Sequence, residues 1–240
     1  MLTISFESSA KSASVALTRD GILLAQSFQN NGLTHSRTLL PMAEDLLKNC
    51  GVDKRELERV AVARGPGSFT GVRIGVSVAK GLCWALDIPA CGVSTLEAMA
   101  WQGIFAPEGS LLCCAMDARR DQVYNAVFRV RQGRPVRLCP DRAISIAELD
   151  AEFEAAVKKI AEKEVILLGD GAERCYNTLR GAVLPPQHLR LQSAYGVALA
   201  AEGAPDVSCH NLLPLYLRVS QAERERATDN EQRITNNGQP

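Results

Sequence analysis

The residues of this chain whose types and spacing could do chemistry fall in a few short stretches. Arg64-Gly65-Pro66-Gly67-Ser68-Phe69-Thr70 follows a β-branched and alanine run, Val60–Ala63. A glycine turn between a buried strand and a helix start points backbone N–H groups at an anion or at a partner chain. The stretch does not fit the phosphate loop G-x-x-x-x-G-K-[ST], because Arg73 and Ile74 stand where Lys and Ser/Thr would be needed. Two acidic residues, Glu7 and Asp117, sit where strands end in polar turns. The three histidines have no ligand spacing, and His35 near a helix start is expected to be solvated or capping. The eight cysteines are scattered, mostly through apolar segments and without a C-x-x-C pair, so they read as reduced, buried thiols rather than zinc or redox motifs.

These groups must be held by strands and helices that the apolar spacing outlines. Leu2–Glu7 alternates as a strand, and two more strands flank the hairpin signal Asp20-Gly21. Thr34–Cys50 carries Leu39, Leu40, Ala43, Leu46 and Leu47 at helical spacing, with Gly51 as stop and Pro41 predicting a kink or a later start. A helix from Thr70 to Leu86 is capped by Ser68 or Thr70. Its apolar residues point nearly all round, which requires cover on two sides. Gly71, Gly75 and Ala79 form a small stripe along it that lets a neighbouring backbone come close. Ala90–Val93 reads as a strand, and Ser94-Thr95-Leu96-Glu97 is a capping box that opens the next helix.

The second half repeats this plan. Leu111–Met116, the charged turn Asp117–Asp121 and the returning strand Gln122–Val130 mirror the opening hairpin. Ser145-x-x-Glu148 caps a helix to about Lys163, and Val165–Leu168 followed by Gly169-Asp170-Gly171 mirrors the first strand and glycine turn. A helix over Ala194–Glu202 and an extended segment over Leu212–Leu217 follow. The expected organisation is an N-terminal lobe over 1–107, a C-terminal lobe over 108–221, and a polar, disordered tail over 222–240. The fold class is α/β, a duplicated unit with a cleft between two lobes.

At 240 residues and 46% apolar composition the chain can bury a sizeable core, and its 27 basic and 27 acidic residues give zero net charge. No Lys/Arg block exists, so electrostatic binding of nucleic acid by the chain alone is not expected. Neither a leader nor a stretch near the length of a membrane span is read from the sequence, and a soluble, cytoplasmic protein is expected.

The opening hairpin with an acidic turn is similar to that of the sugar-kinase/actin/Hsp70-like fold, in which this turn faces phosphate or metal; Asp is usual there, and Glu7 is one methylene longer. Further residues narrow the resemblance. RGPGSFTGVRIGVSVAKGL, with HSRTLLPM before it, GVSTLEAMA and MDARRDQVYNAVF after it, and PLYLR near the end, resembles the bacterial TsaB (YeaZ-like) family over about residues 1–220. That resemblance implies the two-lobed sugar-kinase/actin/Hsp70-like fold. It also implies a part in placing threonylcarbamoyl on the adenosine 3′ of the anticodon in ANN-decoding tRNAs. The catalytic relative, TsaD, carries G-V-N-H-L-E-A-H, whose two histidines four residues apart on one helix face grip a metal ion. Here the stretch is Gly92-Val93-Ser94-Thr95-Leu96-Glu97-Ala98-Met99, so Thr95 and Met99 stand where the histidines would be. A hydroxyl and a thioether do not replace two imidazoles. No metal site and no catalytic residue are expected.

The resemblance then implies a supporting subunit that pairs with TsaD, with TsaE docking on the pair. The surface expected to serve this comprises Leu39, Met42 and Leu46 of the first helix and Val72, Arg73, Val76, Ala79 and Lys80 of the second, and a Val76→Glu change is expected to weaken pairing while leaving the fold intact. Homodimers are expected without TsaD, and tRNA is met only through the complex. Glu7 and Asp117 are expected to face each other across the cleft. No intrinsic cofactor is expected, although a nucleotide at the complex interface is conceivable. A metallopeptidase-like enzyme of the glycoprotease lineage, a small-molecule kinase, and a binding module for another partner are the rival readings.

Overall fold

The computed structural model describes residues 1–157 and 164–218. The expected end of one helix at Lys163 and the polar tail from 222 lie outside the described residues. In the first half, β1 (Leu2–Glu7), β2 (Ala13–Arg19) and β3 (Ile22–Gln29) form an antiparallel meander, followed by α1 (His35–Asn49), β4 (Arg59–Ala63), α2 (Phe69–Leu86), β5 (Ala90–Val93) and α3 (Thr95–Gln102). The second half contains β6 (Leu111–Asp117), β7 (Gln122–Arg131), β8 (Arg134–Arg137), β9 (Arg142–Ser145), α4 (Ile146–Val157), β10 (Val165–Leu168), α5 (Ala172–Tyr176) and β11 (Ala182–Val183). Two helices close the described chain, α6 (Gln187–Arg190) and α7 (Ala194–Ala201).

The first sheet has the order β3-β2-β1-β4-β5 and the second β11-β10-β6-β7-β8, with β9 also paired to β7. In each, an antiparallel hairpin lies beside two parallel strands, β1 on β4 on β5 in one and β6 on β10 on β11 in the other. The second half therefore repeats the topology of the first, the duplication of the two-lobed sugar-kinase/actin/Hsp70-like fold.

Local chemistry accounts for the elements. Asp20 and Gly21 both take positive φ, 52° and 76°, as the tight β2–β3 turn needs. The chain leaves α1 through Gly51 at φ 66°, whose N–H returns to the Lys48 carbonyl. Helix α1 passes through an exposed Pro41 and starts at His35, so the proline does not mark its start. His35 neither caps the helix nor points to water: its Nε2 bonds the Ala10 carbonyl at 2.7 Å and ties α1 to the β1–β2 turn.

The layers run helix, sheet, helix, sheet, helix. Helices α1 and α2 cover one face of the first sheet around Ile4, Phe6, Val15, Leu17, Val60 and Val62. Helices α4 and α5 cover the outer face of the second, where Leu149 and Cys175 meet Cys113 and Leu167. The middle layer is exchanged between the halves. Helix α3, from the first half, contributes Leu96, Met99 and Ala100 to the second sheet's core. Helix α7, from the second half, returns Val197, Ala200 and Ala201 to Ala61, Ala63, Cys91 and Val93 of the first. Val207 then makes a bridge with Ala90, and Arg59, nearly fully buried, donates to the carbonyls of Ala201 and Ala204 at 2.8 Å each. The strands divide between the two sheets on either side of residue 107, while the first sheet takes residues beyond 190 to cover its second face.

One helix, Phe69–Leu86, has the length and mean hydropathy (1.2) of a membrane-crossing segment, which corrects the expectation that no stretch approaches one. It is the core helix of the first lobe, with Val72, Val76, Ala79 and Cys83 against the sheet.

Candidate functional site

Two places bring together the residues singled out in the sequence, the cleft between the lobes and the outer side of α2. The cleft encloses about 390 Å³ and is walled by Ser9–Lys11, Gly67–Thr70, Met116–Arg119, Asp170 and Leu215–Arg218. These are the two hairpin turns, the two glycine turns and the last described segment. The first glycine turn is tightly seated. A Cβ on Gly71 would collide with the Ser8 carbonyl oxygen, one on Gly75 would approach the Ser8 hydroxyl to 2.5 Å, and one on Gly67 would approach the Ser9 carbonyl to 2.5 Å. The backbone admitted by the small stripe is thus the protein's own β1–β2 turn. Ser8 Oγ donates to the Gly71 carbonyl at 2.9 Å, and the Ser68 N–H donates to the Ser9 carbonyl at 2.7 Å. Ser68 is the cap, its Oγ accepting from the Gly71 N–H.

Glu7 lies under this turn and does not line the cleft. It is fully buried, with Oε1 accepting the Ser9 N–H at 2.6 Å and Oε2 without a partner. Burial pushes its carboxyl up to about 7, against the hydrogen bonds from Ser9, and the charge of Asp170 adds to the rise. Asp117 does reach the cleft wall, but Arg174 holds it at 3.0 Å and the Arg119 N–H donates to it at 2.7 Å. The expected pair of Glu7 and Asp117 is therefore replaced. The acid across the seam from Glu7 is Asp170, itself half-buried; its carboxyl is raised by burial and accepts from Gln192 Nε2 at 2.9 Å. The mirrored glycine turn Gly169-Asp170-Gly171 was the sequence signal for it: it lies against Ala115–Asp117 at the end of β6 as the first turn lies against Ser8 and Ser9. Among the described residues no three of His, Cys, Asp and Glu gather in a way that could hold a metal ion.

Helix α3 starts beside the same seam. Ser94 Oγ accepts the Glu97 N–H and donates to Asp141, and Glu97 does not reach back to Ser94 but pairs with Arg137 at 3.1 Å. Thr95 and Met99 are both closed off from solvent. Thr95 gives its N–H to the Gly65 carbonyl, and its hydroxyl has no partner. Met99 packs with Leu96, Leu112, Met116 and Leu168, and its sulfur fills the space where Gly169 would carry a Cβ. A buried hydroxyl and a packed thioether do not suit the metal held by an imidazole pair.

On the outer side the structure corrects most of the expected docking surface. Leu39, Met42 and Leu46 of α1 and Val72, Val76 and Ala79 of α2 are all at or below 5% exposure and belong to the first lobe's core. A helix laid on a sheet turns its most apolar stripe to the sheet. What remains outward on α2 is Thr70, Arg73, Ser77, Gly81, Trp84 and Ala85, with Ile74 and Val78 half-buried beside them. Trp84 is 75% exposed, and Leu40 of α1 is also exposed. Of the expected residues, Arg73 lies on this outer face and Lys80 at its margin. Trp84 lies across the helix from the small stripe of Gly71, Gly75 and Ala79, and that placement was the signal available in the sequence.

The cysteines are free, and burial pushes the Cys83 thiol up to about 12 and Cys175 to about 11. Such thiols are protonated and unreactive at neutral pH.

The tRNA threonylcarbamoyladenosine biosynthesis protein TsaB of Bacillus subtilis (strain 168) is 31% identical over 230 residues, which span 93% of this chain and 96% of that protein. This chain belongs to the TsaB family. The TsaB protein of Escherichia coli (strain K12) is 38% identical over 130 residues, 54% of this chain and 55% of its own. A family profile described as TsaD, tRNA N6-adenosine threonylcarbamoyltransferase, matches residues 29–195 and so takes in α3 with Thr95 and Met99. The solved structure of YeaZ from Pseudomonas aeruginosa aligns with this chain with a TM-score of 0.76 at 28% identity, over 90% of this chain and 99% of that one.

Proposed function

We propose that this chain takes part in the biosynthesis of threonylcarbamoyladenosine in tRNA as a supporting subunit without chemistry of its own, by docking against a TsaD-type catalytic subunit with TsaE joining the pair. The observation that carries this reading is the state of α3. Thr95 and Met99, at the places the resemblance assigns to the two histidines of TsaD, are buried side chains that pack rather than ligate. The docking face is the outer side of α2, centred on Ile74, Ser77 and Trp84 and bordered by Arg73 and Lys80. An indole 75% exposed on an apolar helix is the kind of anchor that interfaces bury. Without TsaD the same face takes a second copy of the chain. The protein acts in the cytoplasm, reaches tRNA only as part of the complex, and holds no nucleotide by itself; a nucleotide would sit at the junction with the partner.

Reconstitution of tRNA modification from TsaD, TsaE, threonylcarbamoyl-adenylate and tRNA, with and without this chain, tests the reading. Modification should depend on the chain and be lost with Trp84→Glu, while the chain alone should modify nothing. Activity that is indifferent to the chain overturns the reading, as does turnover by the chain alone.

A further inference from the structure

Residues 212–218 form a strap that starts on the first lobe and ends on the second. Leu212 is buried against Gly92 and Arg64, close to where Lys80 Nζ donates to the His210 carbonyl at 3.4 Å. The Leu215 N–H donates to the Arg64 carbonyl at 2.6 Å, and its own carbonyl lies so close over Gly65 that no Cβ would fit beneath it. Tyr216 stacks on Phe69 with ring centroids 4.7 Å apart, and its hydroxyl accepts Arg73 Nε at 2.8 Å. The Arg73 guanidinium lies 3.7 Å over the Phe69 ring. Two residues on, Arg218 crosses to the second lobe and donates to the Ala118 carbonyl at 2.9 Å.

The far end of the strap is fixed to a turn with stored strain. Arg119, Arg120 and Asp121 follow one another at φ 62°, 53° and 55°, left-handed values that side-chain-bearing residues seldom adopt in series. Arg119 and Leu215–Arg218 are neighbours on the cleft wall. One chain of contacts thus runs from Arg73, on the outer face of α2, through Phe69 and Tyr216 to Arg218 and the strained turn. We propose that the strap is the link through which a partner seated on the outer face of α2 sets the position of the Ala118–Asp121 turn at the cleft mouth. The inference rests on the docking reading above and adds how docking is felt between the lobes. A partner that engages Arg73 competes for the guanidinium held by Phe69 and Tyr216, and the strap answers by releasing Ala118. Coupling between separate sites requires an untied arrangement beside the tied one that the structure shows.

Hydrogen exchange read by mass spectrometry on the full chain, with and without a purified TsaD-type subunit, tests this. In the wild type, binding should protect α2 and also speed exchange of the Ala118–Gln122 amides by about fivefold, the effect of losing one hydrogen bond. Arg218→Ala should bind with affinity within about twofold and protect α2 equally, yet show no response at Ala118–Gln122. In the isolated chain Arg218→Ala should speed exchange at that turn by about fivefold. A wild type that protects α2 with no change at the turn overturns the coupling and leaves docking intact, and so does an Arg218→Ala variant that responds as the wild type does. No binding by the wild type overturns the docking reading and the coupling with it.

Discussion

Replacing Glu7 with Gln should make the protein more stable at pH 8 and leave it almost unchanged near pH 4.5. The carboxyl rises from 4.5 to about 7 on folding. At about 1.4 kcal/mol per unit, the native state carries a penalty of about 3 kcal/mol for holding the charged form. Between those two values the native protein binds a proton that the unfolded chain has released, so stability falls as pH rises from about 4.5 to 7 and the penalty is complete above 7. Gln keeps an oxygen for the Ser9 N–H and puts an amide donor where Oε2 now has no partner, on the side where Asp170 acts. Urea unfolding of the full chain, followed by tryptophan fluorescence from pH 4.5 to 8.5, should therefore give two curves that meet in acid and separate by about 2–3 kcal/mol in base. Asp170 is raised too and tilts both curves, which is why the difference between variants, not the slope of either, is the measure. Parallel curves, or a wild type that gains on Glu7→Gln as pH rises, would refute the burial argument.

Val76→Glu, expected from sequence to disturb docking alone, should instead unfold the first lobe, because it buries an unpaired charge at a cost of about 4 kcal/mol or more; circular dichroism and solubility report it. Trp84→Glu should change stability by no more than about 0.5 kcal/mol while abolishing co-purification with TsaD. Gly71→Ala should cost about 3 kcal/mol in thermal or urea unfolding, since the new methyl meets the Ser8 carbonyl and one backbone must move. Arg59→Met should cost about 2–3 kcal/mol and raise hydrogen exchange in α7, whose Ala201 carbonyl loses its donor along with that of Ala204.

Much of the fold was legible because its signals are local. Asp20-Gly21, Gly51, the N-cap at Ser94, the capping box at Ser145 and the alternation in β1 each act over a few residues, and the repetition of hairpin, strand, glycine turn and helix gave the duplication. What the sequence hid is non-local. The apolar circumference of α2 says that two sides are covered, but not that Val72, Val76 and Ala79 face the sheet while the outward side keeps Trp84. Glu7 and Asp117 occupy equivalent turns, yet the topology sets Asp170 nearer Glu7 and gives Asp117 to Arg174. The strap was read as an extended segment, and nothing in Leu212–Leu217 alone announces that it lies over Gly65 and reaches Ala118. Glu97 looked solitary because its partner, Arg137, is forty residues away on another strand.

The exchange of α3 and α7 between the sheets also bears on how the protein is made. Strands β1 to β5 leave the ribosome early, yet the face of their sheet around Ala61, Ala63, Cys91 and Val93 waits for α7, about a hundred residues later. At about 5–20 residues per second that apolar face stays bare for about 5–20 s in every round of synthesis. During that time α3 alone can shelter part of it. A nascent chain stalled before Ala194 should be a chaperone client, whereas one released past Leu212, which also enters that lobe's core, has what its first sheet requires.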